Sequence, residues 1–102
     1  MINAFDLVAD PTRRRLLEEL RDGECSVGSL VERLEMSQPA VSKQLRVLRE
    51  AGLASVRRDA QRRIYRLNPA GLKELDEWLQ PFRAFWERRL DAMELTLSSM
   101  ED

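Results

Sequence analysis

The 102-residue chain has no histidine and a single cysteine, Cys25. The first absence removes the side chain that most often moves protons near neutral pH, and with it most zinc chemistry. The second excludes an internal disulfide and points to the cytoplasm. No apolar run approaches the ~18 residues of a membrane-spanning helix. The opening Met1-Ile2-Asn3-Ala4-Phe5-Asp6 lacks a basic stretch followed by an apolar one, so no signal peptide is expected. There are no repeats, no low-complexity tract and no glycine-rich phosphate loop. No nucleophile has a recognisable base and no cluster suggests a metal, so neither catalysis nor a cofactor is expected.

What the chain does have is charge gathered in one place. Overall it is nearly neutral, with a net charge of −1 and a pI near 5.6, which argues against a nucleic-acid partner. Yet residues 37–66 carry eight cations, Lys43, Arg46, Arg49, Arg57, Arg58, Arg62, Arg63 and Arg66, against Glu50 and Asp59, a net of +6. Residues 1–36 hold five basic and eight acidic groups, and residues 67–102 four and eight, so both flanks are acidic. That local concentration favours a nucleic-acid partner. The length fits one domain, which at this size is modestly stable alone and gains from dimerisation.

The local signals read as short helices, a β ribbon and a long helix. Residues Ile2–Ala9 form a short helix with Phe5 and Val8 on one side. Asp10 then caps a helix that opens with Pro11, buries Leu16, Leu17 and Leu20, and stops at Asp22-Gly23. The Arg13-Arg14-Arg15 run on it could meet phosphate, but reads best as salt bridges on a solvated face. Ser26 caps the next helix, with Leu30, Val31 and Leu34 inward, and Glu35-Met36 is a tight connection.

Ser37 caps a further helix with Pro39 in its first turn. Val41, Leu45 and Leu48 recur at i, i+4 and i+7 as one buried stripe, leaving Gln38, Ser42, Lys43, Arg46 and Arg49 outward. Two short helices joined by a brief turn, the second with a polar outer face, make the helix-turn-helix layout over residues 26–51. Gly52 ends the second helix. Residues 54–59 and 62–67 are strand-like, with Ala60-Gln61 at the hairpin tip; the missing glycine argues for a longer loop. Tyr65 reads as core.

Asn68-Pro69 caps and starts the last helix. Leu72, Leu75, Leu79, Phe82, Trp86, Leu90, Met93, Leu97 and Met100 follow at near-heptad steps, widened by Trp78 and Phe85. Pro81 falls inside the pattern and is expected to kink or split the helix. So much aromatic surface exceeds what one small domain covers. The expected interface with a second copy comprises Phe5, Val8, Leu79, Phe82, Trp86, Leu90 and Met93.

These residues resemble the ArsR/SmtB family of winged-helix bacterial repressors over nearly the whole chain. The matching segments are Leu7-Val8-Ala9-Asp10-Pro11-Thr12-Arg13-Arg14-Arg15-Leu16-Leu17, then Leu30 to Leu34, then Ser37 through Leu53 with its Ala51-Gly52-Leu53 ending, then Arg62 to Leu67 as a second wing strand. The tail from Trp78 to Leu90 resembles a branch without metal sites. The resemblance implies a mainly α (α+β) winged helix-turn-helix, with a two-stranded wing at 54–67. It implies a homodimer built from helices at 1–9 and 69–100, and recognition helices in the major grooves of a partly palindromic operator. Metal sensors in the family carry two cysteines around a valine; here the matching positions are Ser26 and Gly28, with Cys25 one place off. Others bind zinc through His and carboxylates on the last helix, where Asp76, Glu77, Glu87 and Asp91 read as a solvated face. Metal sensing is not expected.

Reading double-stranded DNA needs base-edge contacts to specify and phosphate contacts to position. Gln38, Ser42 and Lys43, near the start of the recognition helix, suit base edges. Ser37 and the helix N-terminus suit a phosphate, as do Arg46 and Arg49. Arg57, Arg58, Arg62 and Arg63 on the wing suit backbone or minor groove. The expected function is a dimeric repressor; a protein-interaction module of the same fold is the competing reading. Cys25 reads as a small, partly buried residue, with a redox switch at a helix N-terminus as the alternative. No residue set names an effector.

Overall fold

Four side-chain caps set the helices. In the computed structural model, which describes residues 3–101 and side chains as far as Glu94, each cap accepts a backbone N–H of the turn it starts. Asn3 receives Asp6 N–H at 2.9 Å, Asp10 receives Thr12 at 2.8 Å, Ser26 receives Ser29 at 3.1 Å and Ser37 receives Ala40 at 3.3 Å. Such caps stabilise a helix by about 1 kcal/mol each. They open α1 (Ala4–Ala9), α2 (Pro11–Arg21), α3 (Val27–Leu34) and α4 (Gln38–Glu50). The expected Ile2 start lies outside the described residues, as do the side chains of Leu97 and Met100.

The three-helix core closes on α4, whose Val41, Leu45 and Leu48 are fully buried beside Leu16, Leu20, Leu30 and Leu34. Each such side chain contributes ~1.5–3 kcal/mol on leaving water. On α1 the buried residues are Ala4 and Leu7, whereas Phe5 and Val8 are half-buried. Val31 is likewise only half-buried.

The ribbon pairs β2 (Ala54–Asp59) with β3 (Arg62–Leu67) from Ala54↔Leu67 to Asp59↔Arg62. A third strand, β1 (Cys25–Ser26), pairs antiparallel with β3 at Cys25↔Tyr65 and Ser26↔Ile64. Two residues carry no periodicity, so β1 was invisible in the sequence. The hairpin loop is two residues, not longer: Ala60 itself takes the left-handed backbone, φ 58°, at a cost of about 1 kcal/mol. Glu35 does the same in the helix-turn-helix turn, φ 53°, with Met36 N–H bonded back to the Val31 carbonyl.

The last helix departs from expectation twice. Asn68 makes no side-chain cap; its N–H donates to the Leu53 carbonyl at 2.8 Å, and a 3-10 turn (Pro69–Leu72) precedes α5 (Lys73–Glu101). A Cβ at Gly71 would overlap the Gly52 carbonyl, so this crossing of two turns fixes where α5 leaves the domain. Pro81 does not split α5, which runs through it for 29 residues. Arg83 donates to the Asp76 carbonyl at 3.1 Å and pairs with the Asp76 carboxylate, tying together the turn around the missing proline N–H. At 1.5 Å per residue α5 spans roughly 44 Å. It stretches the molecule to 65 × 28 × 21 Å, with a radius of gyration of 18.6 Å. A compact domain of this length has ~13 Å. Large apolar side chains of α5, from Trp78 to Met93, are left exposed.

Candidate nucleic-acid interface

The burial of one face of α4 forces the other outward. Gln38, Lys43, Arg46 and Arg49 are exposed and Ser42 half-buried, while Ser37 spends its hydroxyl as the helix cap. Strand alternation then sorts the wing arginines. Arg58 lies opposite Arg63, on the face that also carries Val56 and the buried Tyr65. Arg57 and Arg62 lie on the other face, opposite Ile64 and Asp59.

Two concavities meet at Ser42 and Arg63. One of about 340 Å³ is lined by Ser26, Val27, Gly28, Gln38, Ser42, Gln61, Arg62 and Arg63. The other, about 280 Å³, is lined by Pro39, Ser42, Lys43, Arg46, Arg49, Arg63 and Tyr65. The structure thus brings Gln38, Ser42, Lys43, Arg46, Arg49, Arg62 and Arg63 together. Ser37, Arg57 and Arg58 line neither hollow.

Compensation divides the cations further. Arg57 pairs with Glu24 at 2.8 Å, and Arg62 with Asp59 at 3.2 Å. Arg66 donates to Ser55 at 2.9 Å. Glu24 lies outside the basic segment in sequence and arrives beside Arg57 only through β1. The Arg57 guanidinium holds Glu24 below the usual carboxylate range, so both stay ionised at neutral pH. Lys43, Arg46, Arg49, Arg58 and Arg63 form no ion pair among the described residues. Arg58 and Arg63 face each other directly, a repulsion that an anion between them relieves.

Neither position that matches the metal-sensing cysteines offers a ligand: Ser26 is engaged as the α3 cap, and Gly28 has no side chain. On α5 the expected interface is largely bare. Trp78, Phe82, Phe85, Trp86, Leu90 and Met93 are between 42% and 59% exposed, while Leu79 is half-buried. Phe5 meets Trp78 edge-on at 5.6 Å, and Trp78 lies 4.7 Å from Phe82. Val8 packs on the edge of the core instead.

Cys25 is 5% exposed in β1, with its thiol against the Glu19 and Gly23 carbonyls and Arg33 at 3.7 Å. The cap of α3 is Ser26, so no helix N-terminus activates the sulfur. Burial pushes the thiol pKa up, against the weaker pull of Arg33. Folding therefore favours the protonated thiol, and that contribution fades as pH rises through the unfolded thiol value of ~8.5 towards the higher folded one. Iodoacetamide at pH 7.5 should alkylate the native thiol at least ~10-fold more slowly than the urea-unfolded chain; equal rates would contradict this account.

Comparison with known proteins follows the same outline. The model of a family described as bacterial regulatory protein, arsR family, matches residues 10–56. The HTH-type transcriptional regulator Rv2034 of Mycobacterium tuberculosis is 39% identical over 99 residues, covering 97% of this chain and 90% of that protein. Transcriptional repressor SdpR of Bacillus subtilis is 34% identical over 82 residues, 80% of this chain and 91% of its own. An ArsR-like transcriptional regulator from Rhodococcus sp. RHA1 superposes with a TM-score of 0.70 at 33% identity, covering 93% of this chain and 87% of that one. With its caps, helix-turn-helix, ribbon and long last helix all in place, the chain belongs to the ArsR family of bacterial regulatory proteins.

Proposed function

We propose that this ArsR-family transcriptional regulator is a cytoplasmic repressor that binds double-stranded DNA as a homodimer, each α4 entering the major groove of one half-site of a partly palindromic operator. The observation that carries the reading is the set of five uncompensated cations, Lys43, Arg46, Arg49, Arg58 and Arg63, along α4 and one face of the ribbon. A protein partner would not require such a stripe; a row of phosphates does. No helix among the described residues is long and apolar enough to cross a membrane.

In this reading Gln38, Ser42 and Lys43 meet base edges, and Ser37, Arg46 and Arg49 hold phosphates. On the wing, Arg58 and Arg63 are ready to meet DNA as they stand. Arg57 and Arg62 must first release exposed ion pairs, which solvent screening keeps weak. The second copy covers the aromatic face of α5 with help from Phe5 and Val8 of α1. Apolar patches of that kind seldom stay bare on a monomer.

Base reading and anchoring should separate by mutation. On the preferred duplex Lys43→Ala should cost ~1–3 kcal/mol and relax sequence preference. Arg63→Ala should weaken all sequences alike, and by more than Arg62→Ala. Quantitative gel shifts on selected and scrambled duplexes decide this; wing changes that alter the preferred sequence, while Lys43→Ala does not, would invert the assignment.

The dimer should depend on α5. Trp86 is half exposed within its chain, so Trp86→Ala should leave the domain folded by circular dichroism yet monomeric by light scattering. DNA affinity should fall with it, because two half-sites about one helical turn apart must be held together. A wild type that is monomeric at tens of micromolar and still binds a palindrome tightly would overturn the dimer.

A further inference from the structure

The Arg13-Arg14-Arg15 run is not a uniform solvated face. Arg14 and Arg15 are exposed, but the Arg13 side chain is 18% exposed and turned inward. Its Nε donates to Gln44 Oε1 at 3.0 Å, and its terminal nitrogen lies 3.5 Å from Asp10. Gln44 sits on α4 next to Lys43. Among the described residues this is the one side-chain hydrogen bond between α4 and any other element.

Asp10 stands at a joint. It ends α1, caps α2 through Thr12 and pairs with Arg13. Through Phe5, α1 rests on Trp78 of α5. A continuous series of directional contacts therefore leads from the aromatic helix to the recognition helix. The other side-chain contacts of α4 are apolar, the buried stripe Val41, Leu45 and Leu48 with Val47 packed at its edge, and apolar burial has no preferred direction. Side-chain tips lie ~5–6 Å from a helix axis, so a 20° roll moves them by about 2 Å. That exceeds the ~0.5 Å window of a good hydrogen bond to a base edge.

We propose that Arg13 is a positioning residue for DNA recognition: its hydrogen bond to Gln44 fixes the roll of α4 relative to α1 and α5, and with it how the two recognition helices of the dimer face successive grooves. The inference rests on the DNA-binding reading above and assigns it a geometric control. Arg13 touches no DNA in this account. Its signature is sensitivity to half-site spacing rather than to base identity.

The experiment uses the full chain and a duplex that the wild type selects from a random pool, together with that duplex lengthened by one base pair between its half-sites. Arg13→Ala, Arg13→Lys, Gln44→Ala and the double Arg13→Ala/Gln44→Ala variant are compared by gel shift, with circular dichroism and light scattering to verify fold and dimer mass. Either alanine variant should weaken binding to the selected duplex about tenfold, as loss of a charge-assisted hydrogen bond implies. The double variant should be no worse than the singles, and the preference for correct spacing should shrink in all of them. Arg13→Lys keeps the charge but lacks the planar fork, so it should hold the fold without restoring the preference. Additive losses, an unchanged spacing preference, or a loss confined to Gln44→Ala would overturn the inference. A wild type that selects no duplex removes the DNA reading, and this inference with it; a wild type that does so while Lys43→Ala fails leaves only the Arg13 role at stake in the comparison.

Discussion

Everything in this fold depends on burying Val41, Leu45 and Leu48 along one side of α4. Those three side chains recur at helical spacing, so the helix must lie against α2 and α3 with that side inward. Its cations are then committed to the opposite side. Function here is a by-product of packing: the same rotation that hides leucine displays Lys43, Arg46 and Arg49. The caps and turns around α4 serve that placement. Ser37 starts it, Gly52 at φ 83° stops it, and the Leu53 carbonyl receives Asn68 so that the ribbon returns to the same base.

Clustering of charge in sequence and clustering in space are different properties, and here the second is sharper. Of the eight cations in residues 37–66, Arg57 and Arg62 find acids and Arg66 a hydroxyl. Five remain with neither an ion pair nor a side-chain hydrogen bond among the described residues. They line the outer face of α4 and one face of the ribbon, where the Arg58↔Arg63 pairing stores a local repulsion. Among the described residues, Glu24 is the one acid of the flanks that pairs within the ribbon. A neutral protein can in this way present a strongly positive edge.

Local rules carried the reading a long way. Caps at Asp10, Ser26 and Ser37 and the stripes on α2 and α4 stood in the sequence because each is decided within a turn or two. Both ribbon strands were equally readable, and so was the place of their tip, though not its length. What escaped depends on contacts between distant residues. The β1 pairing with β3, the approach of Glu24 to Arg57 and the Arg13 bond to Gln44 all join segments more than thirty residues apart, with no local mark. Left-handed Glu35 and Ala60 escaped for another reason: tight tertiary connections impose a backbone that those residues do not prefer. Pro81 does not split the helix, which continues on both sides of it. The base-contacting and phosphate-contacting roles were read from residue type and position, and the geometry adds a ranking among the wing arginines that spacing alone does not contain.

The most direct test of the account is the salt dependence of binding to duplex DNA. If about 6–10 phosphates are engaged per dimer, log affinity should fall linearly with log salt and drop ~10³–10⁵-fold between 50 and 200 mM. Binding that ignores salt, or no binding across a large random pool, would contradict the claim that the exposed cations of α4 and the ribbon form a DNA-binding face.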